Sequence, residues 1–138
     1  MKKILLILTL ALLAGFSMKA QEDGNDKIRD KMREFIQKRL SLTRNEAERF
    51  TPVFIRYFRE WKQTLQENRG DGLVRQQRII ELRLRYRTEF RDIVGEKKSN
   101  DVYKQQDVFI REIREMREEQ IKARRDERPN KSFRSLLQ

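Results

Sequence analysis

The chain has 138 residues, a formal net charge of +11, and charged side chains at 40% of its positions. It contains no Cys and no His, which excludes disulfides, thiol nucleophiles, and the commonest general base and metal ligand. Gly and Pro are scarce, with five and two residues. This composition favours long helices with solvated outer faces over a sandwich or a barrel.

Residues 1–20 have the pattern of a cleavable secretory signal. A charged start, Met1-Lys2-Lys3, precedes an apolar run over 4–16, and the small residue Ala20 marks the expected cleavage point. The run is shorter than the roughly 20 residues of a membrane span, which argues against the alternative of an uncleaved N-terminal anchor. Cleavage near Ala20 would remove three Lys residues and no acids, which lowers the net charge from +11 to +8.

The first two predicted helices carry apolar stripes at three- and four-residue spacing. The helix over 26–40 has five apolar residues on one face: Ile28, Met32, Phe35, Ile36 and Leu40. The helix over 44–68 follows a capping box, in which Thr43 accepts from the third amide and Glu46 reaches back. Pro52 interrupts this helix and predicts either a kink or a short turn followed by a new helix.

Two more helices are predicted in the second half of the chain. The helix over 73–94 carries a stripe formed by Ile79, Leu82, Tyr86, Phe90 and Ile93. Gly95 stands where a left-handed C-terminal cap belongs. The last helix spans about 100–127, with Ser99 or Asn100 as its N-cap. Its highly charged second half predicts that this end projects into solvent.

Together these elements predict an all-α protein, an elongated four-helix hairpin or bundle with coiled-coil-like stripes. We expect one helical domain over 21–128 and a mobile tail over 129–138. A thin bundle of this kind leaves apolar surface exposed, which the pairing of two copies in a homodimer would cover.

Residues 42–54, Leu-Thr-Arg-Asn-Glu-Ala-Glu-Arg-Phe-Thr-Pro-Val-Phe, resemble a known group. The segment is similar to the Spy/CpxP-like periplasmic family with the LTxxQ motif, in the branch from Bacteroidetes-type bacteria; Glu46 stands where the motif has Gln. The resemblance implies a periplasmic helical hairpin, commonly an antiparallel dimer with a concave, basic and partly apolar surface. In the family that surface holds unfolded envelope proteins without ATP or supports stress signalling.

Aromatic and basic residues of the second helix are the candidate partner-binding site. They are Phe54, Arg56, Tyr57, Phe58, Arg59, Trp61 and Lys62. The rings would take apolar segments of a partner while the cations attract acidic ones. The alternative is that the rings form the core of the bundle. We predict no catalytic residue, no metal site and no cofactor, because the carboxylates lie in Arg-rich, solvated faces.

The leading functional hypothesis is therefore a non-enzymatic, ATP-independent chaperone-like or envelope-stress accessory protein. Its partners would be unfolded or envelope proteins. One alternative is a signalling component that regulates a membrane sensor or a sigma-factor pathway. A more distant alternative is nucleic-acid binding, suggested by a pI near 10.3 and opposed by the export signal. The basic runs of the last helix are either a solvated face or a contact for an anionic membrane surface.

Overall fold

Four helices account for nearly all of residues 24–127, the part of the chain that the computed structural model describes. They are α1 (24–39), α2 (Arg44–Glu67), α3 (Gly72–Val94) and α4 (Glu96–Asp126). No strand occurs within this range, and the helices pack against each other, so the predicted all-α bundle is confirmed. The predicted signal over 1–20 and tail over 129–138 lie outside the described residues.

The start of α2 is fixed by the capping box that the sequence predicted. The Glu46 amide donates to the Thr43 hydroxyl oxygen at 3.2 Å, and the Thr43 amide donates to the Glu46 carboxylate at 3.4 Å. The helix then continues through Pro52, so the alternative of two separate helices is wrong. Pro52 is exposed, which leaves the buried face of α2 to its aromatic residues. Solvent can therefore reach the backbone carbonyl that loses its partner there.

A single residue, Gly95, connects α3 to α4. Its φ of +84° and ψ of 170° lie in a region that is open almost only to Gly, and its amide donates to the Arg91 carbonyl at 2.9 Å. Gly95 therefore ends α3 at the predicted position, but its ψ differs from the value near +47° of the predicted left-handed cap. The prediction that α4 starts at Ser99 or Asn100 is wrong, because the helix already begins at Glu96. Ser99 is buried inside the first turns, where its hydroxyl donates to the Glu96 carbonyl at 2.7 Å.

Ion pairs and hydrogen bonds across the helix interfaces show the relative directions of the helices. Arg49 donates to the Asp92 carbonyl near one end of the α2–α3 pair, and Arg85 pairs with Glu60 near the other, so these helices are antiparallel. The one-residue turn at Gly95 makes α3 and α4 antiparallel as well. The backbone reversal over 40–43 returns α1 along α2, where the Gln37 side chain donates to the Thr51 hydroxyl at 3.2 Å.

Tyr57 of α2 lies at the centre of the core, where its ring is 0% exposed. The ring meets those of Tyr86, Phe90 and Tyr103 at centroid distances of 5.4, 5.9 and 5.6 Å. Its hydroxyl donates to the Gln106 side-chain oxygen at 2.5 Å. Burial raises the pKa of Tyr57, which keeps the phenol protonated as a donor. One side chain thus joins α2 to both α3 and α4.

The far part of α4 leaves the bundle. Every residue from 114 to 127 is exposed, so the predicted projection of this end into solvent is confirmed. We call residues 114–126 the α4 extension. None of the helices within 24–127 combines the length and the hydrophobicity that crossing a lipid bilayer requires.

We predict that Gly95→Ala destabilises the bundle, because φ of +84° and ψ of 170° strain any side chain even though no atom crowds the position. The expected loss is about 1–3 kcal/mol in the free energy of unfolding, measured by urea titration with circular dichroism. Gly70→Ala is the control, since Gly70 lies in open space at a turn without positive φ. Equal effects of the two substitutions would contradict the strain at Gly95.

We also predict that Tyr86 makes stability fall at alkaline pH. Burial and the hydrogen bond to Glu60, at 2.6 Å, raise the pKa of Tyr86 from 10.0 to about 12. The folded state therefore favours the protonated phenol, and this stabilisation is complete below pH 10 and is lost as the pH rises towards 12. The free energy of unfolding should fall less steeply over that range in Tyr86→Phe than in the unmodified protein. Identical pH profiles would rule out the contribution of Tyr86.

Candidate binding groove

A groove opens where the first part of α1, the last part of α2 and the middle of α4 come together. Its volume is about 320 Å³, within the size range of ligand-binding pockets. We call it the basic-rimmed groove, and it is lined by Asn25, Ile28, Met32, Phe58, Trp61, Lys62, Phe109, Ile110, Ile113, Arg114 and Arg117.

The floor of the groove is apolar and firmly packed. Met32 is buried, and the Phe109 ring packs edge-on against Phe35 at a centroid distance of 5.4 Å. The ring of Trp61 lies 5.6 Å from that of Phe58 and remains half-buried. Because Met32, Phe58 and Phe109 are buried, the apolar surface open to an occupant belongs mainly to other lining residues: Ile28, Trp61, Ile110 and Ile113. This surface is preformed, since the buried residues beneath it hold it in place.

All charged side chains that line the groove are positive. Lys62, Arg114 and Arg117 belong to its lining, which contains no Asp or Glu. None of the three forms an ion pair with another residue in the 24–127 range. A carboxylate or another anion entering the groove would therefore meet three cations without displacing an internal acidic partner.

Two arginines elsewhere on the bundle, Arg56 and Arg83, already have acidic partners. Arg56 lies 2.7 Å from Glu89, and Arg83 lies 2.6 Å from Asp107. The contact with Glu89 raises the pKa of Arg56. These pairs connect neighbouring helices, so their cations already have partners. The three cations of the rim therefore differ from Arg56 and Arg83, because no acidic side chain among the described residues pairs with them.

The structure separates the predicted site residues into three groups. Phe54 and Tyr57 are 0% exposed, so they lie in the core, as the alternative interpretation held. Phe58, Trp61 and Lys62 come together in the groove. The two predicted arginines lie elsewhere: Arg56 pairs with Glu89, and Arg59 lines a neighbouring recess of about 450 Å³.

That recess is a weaker candidate than the groove. It lies between α1 and α2 and shares Asn25, Phe58 and Lys62 with the groove. One of its three cations, Arg29, is already held by Asp26 at 2.9 Å. Its lining also includes the acid Asp26, so the recess lacks the purely positive lining of the groove.

Sequence reasoning missed the residues of the groove that come from α1 and α4. The sequence places Ile28 and Met32 only on the stripe of their own helix, and it predicts the basic runs of the last helix without a facing helix. Periodicity identifies which residues of one helix share a face, but it does not state which two helices meet. The sequence did contain one signal for this site, the high charge density in the second half of the last helix. It marks a helix end without packing partners, and such an end lies at the border of the bundle.

No group of three or more Asp or Glu side chains suited to holding a metal ion occurs within the described range. The groove itself has no carboxylate. Its chemistry is that of a binding surface for an apolar, anionic group. Comparisons with protein-family models, curated proteins and solved structures give no match to this chain.

We predict that the groove binds the apolar anion anilinonaphthalene sulfonate, whose rings suit the floor and whose sulfonate suits the rim. The emission of Trp61, the only Trp of the chain, should fall as the dye binds. Arg114→Glu/Arg117→Glu should weaken binding about tenfold, since each removed ion pair is worth roughly 0.2–1 kcal/mol and reversal adds repulsion.

The control for this measurement is Arg111→Glu/Lys122→Glu. It changes the net charge equally, but both exposed residues lie about 100° around α4 from Ile110. The two proteins should therefore differ in dye affinity. The same loss of affinity in both would mean that net charge, and not the groove, attracts the dye.

Proposed function

We propose that this chain is an exported, ATP-independent binding protein that captures apolar segments with acidic flanks in the groove. The proposal covers chaperone-like or envelope-stress accessory activity towards unfolded or envelope proteins. The observation that carries it is the apolar floor bordered by Lys62, Arg114 and Arg117, with no described acidic residue in the lining.

Two features of the sequence support the same reading. The pattern of residues 1–20 is that of a secretory signal, which would expose the protein to envelope clients. The segment over 42–54 resembles the Spy/CpxP-like family, in which a basic, partly apolar helical surface holds such clients. In the structure this segment supplies the capping box of α2, and α2 in turn positions Trp61 and Lys62 in the groove.

The mechanism follows from the groove and needs no chemical step. An exposed apolar side chain of a client enters between Ile28, Trp61 and Ile113 and loses contact with water. Neighbouring carboxylates of the client approach the cations of the rim. Since these cations are near the surface, the electrostatic attraction is screened by salt and mainly speeds the encounter. Such binding is reversible, because the groove covers only a few side chains.

We predict that the purified protein suppresses aggregation of an acidic client, reduced α-lactalbumin, in the absence of nucleotide. Light scattering should fall as the protein is added up to several-fold molar excess. A basic client, reduced lysozyme, should be protected less, because its cations are repelled by the rim. Raising the salt concentration should reduce the difference between the two clients.

The charge variants identify the surface responsible. Arg114→Glu/Arg117→Glu should lose most of the protection of the acidic client, whereas Arg111→Glu/Lys122→Glu should retain it. Absence of any protection at several-fold excess would refute the proposal. If a pull-down from envelope extracts then returned one partner at defined stoichiometry, the signalling alternative would be favoured.

A further inference from the structure

The groove-facing side of α4 continues beyond the end of the bundle. Ile121 follows Ile110 by eleven residues, which is about three turns at 3.6 residues per turn, so both lie on one side of the helix. Arg124 follows Arg117 by seven residues, about two turns, and lies on that side as well. Ile121 is 52% exposed on the α4 extension. We call the row Ile110, Ile113, Arg117, Ile121 and Arg124 the α4 stripe.

The α4 stripe is longer than the groove. From Ile110 to Arg124 it measures about 21 Å along the helix axis. Its first part forms one wall of the groove, and its second part lies on the exposed extension. An occupant that used the whole stripe would cover Ile121 and would run straight alongside α4. This length and straightness restrict the shape of the partner.

The groove also restricts the backbone of its occupant. Its walls are α1, α2 and α4, whose backbone amides and carbonyls bond within their own helices. An extended segment in the groove would therefore lose water from its backbone without gaining backbone partners, which is unfavourable. A helical segment satisfies its own backbone and presents only side chains. Helix packing beside α4 would bring apolar residues at three- and four-residue spacing onto the α4 stripe.

Charge excludes a second copy of the chain as the preferred occupant. If two copies paired through the α4 stripe, Arg117 and Arg124 of each would approach the same cations of the other. The acids of the extension lie off the stripe: Glu115 and Glu119 are each two residues from Arg117, about 160° around the helix, and Glu118 is one residue from it, about 100°. A partner with Asp or Glu beside its apolar stripe has the complementary charge.

We propose that the occupant of the groove is an amphipathic helix of another protein, with acidic residues flanking its apolar stripe, bound lengthwise along α4 from Ile110 to Arg124. This inference rests on the proposed function and specifies its ligand. It makes the α4 extension part of the binding surface. It also means that an unfolded client would be held through segments that become helical on the protein.

The test uses the purified protein and two fluorescently labelled peptides of the same sequence. The peptide has about 18 residues, roughly 27 Å as a helix, with Leu at three- and four-residue spacing and Glu beside the Leu stripe. The second peptide has D-residues at two interior positions, which break the helix but leave composition and charge unchanged. We expect the all-L peptide to bind at least about tenfold more tightly in anisotropy titrations and to gain helical circular dichroism on binding.

Two substitutions test the α4 extension. Ile121→Ser should weaken binding of the all-L peptide about three- to fivefold. Met116→Ser is the matched control, because Met116 is 50% exposed, close to the 52% of Ile121, but lies about 140° around the helix from it. Met116→Ser should leave the affinity unchanged.

The outcomes separate this inference from the proposed function. Equal affinity for the two peptides would overturn the helical occupant while leaving capture of apolar, acidic segments intact. Equal effects of Ile121→Ser and Met116→Ser would overturn the role of the stripe beyond the groove. Failure of both peptides to bind, together with failure to protect the acidic client, would refute the proposed function itself.

Discussion

The packing of the bundle depends on the hydrogen-bond partner of the buried Tyr57 hydroxyl. A buried phenol without a partner costs about 1–3 kcal/mol, and the Gln106 side chain is the acceptor that α4 supplies. Gln106 also accepts from Arg83 of α3 at 3.1 Å, and Arg83 in turn holds Asp107. Sliding α4 by one turn would break these contacts together. The register of α4 is therefore fixed at Gln106, and this places Phe109 to Arg117 beside α1 and α2.

Much of this fold could be predicted from the sequence, because its helices are specified locally. The spacing of Leu82, Tyr86 and Phe90 gives the buried face of α3, and Thr43 with Glu46 gives the start of α2. The start of α4 could not be predicted in the same way. A polar Ser-Asn pair is a common N-cap, yet the conformation of Gly95 alone lets one helix follow another directly. The groove was predicted only for its α2 residues, because its other walls depend on pairings between distant helices.

The distribution of arginines explains why overall basicity is a poor guide to function here. Across the α2–α3 interface, Arg56 and Arg85 are matched by Glu89 and Glu60. Such exposed pairs contribute little stability each, about 0–1 kcal/mol, but each leaves its arginine with an acidic partner already in place. The rim cations Lys62, Arg114 and Arg117 have no such acidic partner among the described residues. Whether an arginine has an acidic partner depends on which helices face each other. The amino-acid composition does not contain that information.

The groove joins segments that are far apart in the chain, since Ile28 and Ile113 both line it. The α1–α2, α2–α3 and α3–α4 interfaces join consecutive helices across short connections, and contacts of that kind form early in folding because little loop entropy is lost. Closing α1 against α4 requires the whole chain between them to be in place. The binding surface is then the last part of the molecule to assemble and among the first to open when the ends fray. The proposed binding activity would thus appear only after the rest of the bundle has folded.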